Sequence, residues 1–86
     1  MTNILFVCLG NICRSPAAEG ILKSIVKKSG KENDFFIDSA GILSVHKGEL
    51  PDSRMINCAL KRGYNLNSIS RPIEKKDFDF FDYIIG

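Results

Sequence analysis

Cys8 and Arg14 stand six positions apart in the run CLGNICRS, Cys8 to Ser15, directly behind the apolar stretch Ile4-Leu5-Phe6-Val7. A thiolate and a guanidinium brought onto one turn can face a single small oxyanion, one as nucleophile and the other as clamp. With five residues between them, the backbone can curl so that the N–H groups of Leu9, Gly10, Asn11, Ile12, Cys13 and Arg14 converge and form a concave nest for an anion. Gly10 and Asn11 are the residues that tolerate the left-handed conformations such a curl needs.

That field favours the thiolate form of Cys8, because thiol pKa falls near cations and helix N-termini. A thiolate beside a bound phosphate ester is placed for in-line attack at phosphorus, giving a phosphocysteine that water later removes. Arg14 would hold the equatorial oxygens, and Ser15 would donate a hydrogen bond to the Cys8 sulfur. The bland alternative is that a cysteine ending a buried strand is only a small hydrophobe, with an arginine nearby by chance. What separates the two is context: a strand before, Gly10 and Asn11 within, and Ser15-Pro16 opening a helix after.

Cys13 reads either as a neutral loop residue or as a resolving thiol that forms a disulfide with Cys8 on oxidation. A metal site from Cys8, Cys13, Cys58 and His46 lacks a second matching cysteine pair, so neither a metal nor another cofactor is expected. Cys58 is most simply a core residue and His46 most simply solvated.

The elements that position these residues follow from pattern. Ile4 to Val7 reads as a buried strand, and Ser15 as N-cap with Pro16 at the first helical position starts a helix. Ala17, Ala18, Ile21, Leu22, Ile25 and Val26 give it one apolar face, and Gly30 stops it. Phe35 to Ile37 is a second strand, and Gly41 to Gly48 with Pro51 a loop. Asp52 opens a second helix carrying Met55, Ile56, Ala59 and Leu60 inward and ending at Gly63. After a break at Arg71-Pro72, a short helical turn over Lys75 to Phe78 and a strand over Phe81 to Ile85 are expected.

Strands alternating with helices imply an α/β fold with a parallel sheet, flanking helices and right-handed crossovers, whose ligands bind at the carboxyl ends of the strands. The Cys8 motif sits at such an end. Residues 1–86 should form one domain, and an apolar strand at Tyr83 to Ile85 with no obvious cover reads as a chain missing its carboxyl-terminal part.

The 86 residues are 44% hydrophobic and 26% charged, with a net charge of +2. That is ordinary globular composition, and a charge so small and scattered argues for neither nucleic acid nor membrane partners. No run approaches the roughly 18 apolar residues of a membrane span, and three cysteines suit reduced thiols better than a secreted disulfide scaffold. A cytoplasmic location is the expectation.

The run CLGNICRS with its Pro-initiated helix resembles the active-site loop of the low-molecular-weight protein tyrosine phosphatases. The likeness continues through DSAG at Asp38 to Gly41, PDSR at Pro51 to Arg54, Ser70-Arg71, and DFDFFDYI at Asp77 to Ile84. It implies Cys8 as nucleophile, Arg14 as phosphate clamp, Ser15 as thiolate partner, and Asn11 with Ser39 as a network bracing the loop. It also implies phosphotyrosine proteins or peptides as substrates and inorganic phosphate or a similar oxyanion as loop ligand.

Three departures stand out. Many family members carry histidine where Ser68 stands, the aromatic wall for phosphotyrosine falls near Val45 and His46, and the family's general acid, an Asp-Pro aspartate, has no counterpart. Family members run to nearly twice this length, and the remaining part holds that acid loop, a fourth strand and closing helices. Three other functions compete with the tyrosine phosphatase. An arsenate reductase of the same fold needs a later cysteine pair, of which only Cys58 is present. A protein arginine phosphatase of the same fold is expected to carry threonine at the position of Ile12, where isoleucine favours the tyrosine enzymes. The last is a phosphate- or phosphopeptide-binding module without turnover.

Overall fold

The structure is a computed structural model that describes residues 1–11, 14–43 and 46–86. Strand β1 (Thr2–Cys8) is followed by helix α1 (Arg14–Lys28), a 3-10 turn, strand β2 (Phe35–Gly41), helices α2 (Ser53–Lys61) and α3 (Lys75–Phe80), and strand β3 (Tyr83–Ile85). The three strands form one parallel sheet in the order β2-β1-β3. The expected α/β architecture is therefore present, and β1, which ends at Cys8, lies in its centre.

Register decides what meets the loop. Cys8 pairs with Gly41 and Phe6 with Ser39, while Leu5 lies opposite both Asp38 and Ile84. Leu5 and Ala40 are fully buried and pack with Phe81, with Val7 and Ile73 closing round them. At the far end, the Asp82 N–H donates to Asn3 O and the Asn3 N–H returns a bond to Asp82 Oδ2, fixing where β3 enters. Among the described residues no helix is long and apolar enough to cross a membrane.

Several sequence expectations need correction. α1 begins at Arg14 rather than after a Ser15 cap, so Ser15 and Pro16 sit inside its first turn. Its buried residues are Ser15, Pro16, Glu19 and Val26, while Ile21 and Ile25 are exposed. The inward stripe is rotated from the apolar one because two of its positions carry polar groups that serve the loop.

α2 has its N-cap where expected, the Asp52 carboxylate accepting from the Met55 N–H. Its inward stripe runs through Met55, Ile56 and Ala59; Cys58 and Leu60, each about 100° round the helix from Ala59, are exposed. Cys58 is not a core residue. β2 runs on to Gly41, and α3 extends to Phe80, leaving Phe81 buried ahead of a β3 that starts at Tyr83. Both α1 and α2 end as anticipated, with Gly30 and Gly63 at positive φ just beyond the last turn.

Candidate active site

The parallel ladder continues past β1: the Ile42 N–H donates to Cys8 O and the Leu43 N–H to Leu9 O. The chain then turns back into α1, whose N-terminus is directed at the loop and brings partial positive charge there. Cys8, Leu9, Arg14, Ser15, Ala18 and Ile42 line one cavity of about 460 Å³ at the carboxyl ends of β1 and β3. The structure thus brings Cys8, Arg14 and Ser15 together as the spacing implied. Ile12 and Cys13, expected to bind phosphate and in the case of Cys13 to act in redox, lie outside the described residues, as does Val45.

Of the two residues expected to adopt left-handed conformations, only one does. Asn11 does take a left-handed conformation, at φ 57°, but Gly10 is not among the glycines at positive φ. At Gly10 a Cβ would stand 2.8 Å from His46 Cδ2, so a side chain there would have to displace the His46 ring. His46 is accordingly not simply solvated. Its ring lies against Gly10 while Nδ1 meets Glu49 Oε2 at 2.8 Å.

Gly41 serves the same end from the other side, since a Cβ there would come within 3.1 Å of Asn11 Cβ, Asn11 N and Gly10 C. Two of those three atoms are backbone. Gly41→Ala should therefore push the loop off β2 and cost about 1–3 kcal/mol of stability, read as a drop in thermal midpoint. A midpoint unchanged from wild type would mean that the loop yields freely.

The loop is braced by buried polar groups, all satisfied among the described residues. Asn11 is 2% exposed, and its Nδ2 donates to Ser15 Oγ at 2.8 Å and to Ser39 Oγ at 2.9 Å. Ser15 Oγ lies 2.9 Å from Cys8 Sγ, which also accepts the Asn11 N–H at 3.2 Å. Behind Ser39, its hydroxyl donates to Glu19 Oε1, and the second Glu19 oxygen takes the Lys23 ammonium, each at 2.5 Å.

From the segment before α3, the Ser70 hydroxyl donates to Gly10 O at 3.0 Å and the Arg71 N–H to Asn11 Oδ1 at 3.0 Å. The brace from this segment thus comes from Ser70 and Arg71 rather than from Ser68. The Arg71 guanidinium in turn spans Asp38 and Asp77. Glu19 and Ser70 were missed by sequence reasoning. The available signal for Glu19 was its place four residues after Ser15, on the same helical face one turn on.

The family described as low molecular weight phosphotyrosine protein phosphatase matches residues 3–86. The chain belongs to this family. A low molecular weight phosphotyrosine protein phosphatase of Gallus gallus is 46% identical over 83 residues, 96% of this chain but 52% of the relative. Among solved structures, a protein tyrosine phosphatase of Entamoeba histolytica with Hepes in its active site superposes with a TM-score of 0.95 at 49% identity. It is covered to 54%, against 98% of this chain. A Drosophila arginine phosphatase gives a TM-score of 0.91 at 43% identity, with 98% of this chain and 52% of that one covered. This phosphatase-family chain spans about half the length of such relatives. Among its described residues no Asp or Glu side chain lines the Cys8 cavity, and no three His, Cys, Asp or Glu side chains gather as metal ligands.

Proposed function

We propose that this chain carries the nucleophilic half of a protein tyrosine phosphatase and hydrolyses aryl phosphate esters through a phosphocysteine on Cys8. The observation that supports this most is the Cys8 sulfur itself, which takes the Asn11 N–H, stands 2.9 Å from Ser15 Oγ and shares a cavity with Arg14. Donors converging on a sulfur stabilise its thiolate, which is the nucleophilic form. Arg14 then holds two phosphate oxygens bidentately while the S–P bond forms and the P–O bond to the phenol breaks. Water next attacks phosphorus, the S–P bond breaks with its electron pair returning to sulfur, and phosphate departs. The Ser15 hydroxyl stabilises sulfur as it leaves.

A phosphate-binding module without turnover is the second reading, favoured by a cavity lining that holds no Asp or Glu side chain among the described residues. Rapid mixing with 4-nitrophenyl phosphate, whose phenol leaves without a proton donor, followed by acid quench and peptide mass spectrometry, separates the two. Phosphate on the Cys8 peptide is expected. A chain that binds inorganic phosphate yet never carries it on Cys8 is a binding module. Turnover of phosphotyrosine against phosphoarginine peptides then assigns the substrate, with phosphotyrosine expected.

A further inference from the structure

We propose that Glu19 is a positioning residue that sets the direction of a hydrogen-bond chain ending on the Cys8 sulfur. Its catalytic use rests on the phosphatase reading; the chain of bonds does not.

The direction follows from which groups can only donate and which can only accept. Lys23 is a donor only, and it occupies one oxygen of the Glu19 carboxylate. The carboxylate is an acceptor only, so at its other oxygen the Ser39 hydroxyl must supply the proton. Ser39 Oγ, its hydrogen committed, is left to accept from Asn11 Nδ2. The Arg71 N–H, again a donor only, holds Asn11 Oδ1 and keeps the amide from turning over. Both Asn11 amide hydrogens therefore point at the two serines, and Ser15 Oγ accepts one of them. The Ser15 hydrogen remains for Cys8 Sγ.

The opposite arrangement has the Asn11 amide reversed, both serine hydroxyls donating to its oxygen, and the Ser15 proton diverted from sulfur. Glu19 at one end and the Arg71 N–H at the other both disfavour it. Glu19 is 3% exposed and Ser39 1% exposed, so water offers neither an alternative partner. A buried carboxylate that only stabilised α1 would have no need of a hydroxyl on β2.

Glu19→Gln tests this with almost no change of shape. Lys23 would keep the amide oxygen, which turns the new NH2 on Ser39 and frees the Ser39 proton, no longer held by a carboxylate, to compete for Asn11. The pH midpoint for alkylation of Cys8 by iodoacetamide, followed on the Cys8 peptide by mass spectrometry, should then rise by about one unit. Simple charge repulsion predicts the reverse, since removing a negative charge near a thiolate lowers the midpoint. Among the described residues, the other charged or titratable groups around the site are Arg14 and Lys23 on α1, His46 with Glu49 against Gly10, and Arg71 with Asp38 and Asp77 behind Asn11. None is altered.

Ser39→Ala keeps the Glu19 charge and breaks the link, so it should raise the midpoint as well, and it serves if Glu19→Gln does not fold. In a Ser15→Ala background, where the last donor is gone, Glu19→Gln should add nothing further. A midpoint that stays or falls in both single variants, or a rise that persists in the Ser15→Ala background, overturns the assignment. A chain that never forms phosphocysteine yet shows the rise sinks the phosphatase reading and upholds this one.

Discussion

Changing Cys8 to serine should abolish phosphoenzyme formation and lower hydrolysis of 4-nitrophenyl phosphate by about 10⁵-fold or more, the scale on which removing a covalent nucleophile acts. A serine hydroxyl holds its proton at neutral pH, and no general base lines the cavity among the described residues to take it. Inorganic phosphate should still bind, and bind at least as tightly. A thiolate and a phosphate dianion in one nest repel each other, and the neutral hydroxyl removes that repulsion while Arg14 and the α1 N-terminus remain. Steady-state hydrolysis and equilibrium titration with phosphate check the two halves separately. Loss of both together would make Cys8 a structural part of the turn rather than the attacking group.

The order of elements was legible because its signals are local. Asp52 caps α2, Gly30 and Gly63 stop two helices, and an apolar run behind a turn marks β1, each within a few residues of the feature it specifies. That Cys8, Arg14 and Ser15 share one cavity was legible for the same reason, all three lying within one eight-residue run. What escaped is what the sheet assembles. Ser39 meets Asn11 across 28 residues and Glu19 across 20, while Ser70 and Arg71 reach the loop across 60. Pairing of Cys8 with Gly41 sets those meetings, and periodicity carries no such register. The resemblance supplied Ser39 but gave no role to Glu19. Ile21 was placed inward and Glu19 went unnamed because hydrophobicity says nothing of a buried carboxylate with two donors waiting for it. Of the two residues expected to turn left-handed, Asn11 does and Gly10 does not, its ring neighbour His46 being set by a loop more than thirty residues on.

Arg71→Met should cost about 3 kcal/mol of stability and loosen the loop at the same time. The Asp77 side chain is 5% exposed, and it takes two bonds from the guanidinium, at 2.9 and 3.1 Å, while Asp38 takes two more. Methionine fills much of the volume but leaves the Asp77 charge with the Glu74 N–H as its hydrogen bond and the more distant field of Lys76. Removing one partner of a buried ion pair costs about 3–5 kcal/mol; the lower end applies because Arg71 itself is 27% exposed, on the wall of an open cavity beside Phe36 and Phe81. Against a total of roughly 4–13 kcal/mol for a chain this size, that should lower the thermal midpoint by at least 10 °C.

The acid limb of stability gives an independent reading of the same pair. Burial pushes the Asp77 carboxyl up, but the Arg71 bonds and the Glu74 N–H outweigh it and hold the group below its usual range. A carboxyl depressed in the folded state contributes stability that is fully present above the unfolded value of about 3.9 and is lost as pH falls through the folded one. Arg71, raised chiefly by its bond to Asp77, stays charged throughout and adds no slope of its own. Wild type should therefore lose stability on acidification below about pH 4, whereas Arg71→Met, in which Asp77 keeps only the Glu74 N–H and Lys76 against the cost of burial, should show a shallower acid loss. Equal acid slopes in the two proteins would show that Asp77 finds its charge balance elsewhere. Because the Arg71 backbone also holds Asn11 Oδ1, phosphate affinity should fall in the variant even at temperatures where it remains folded.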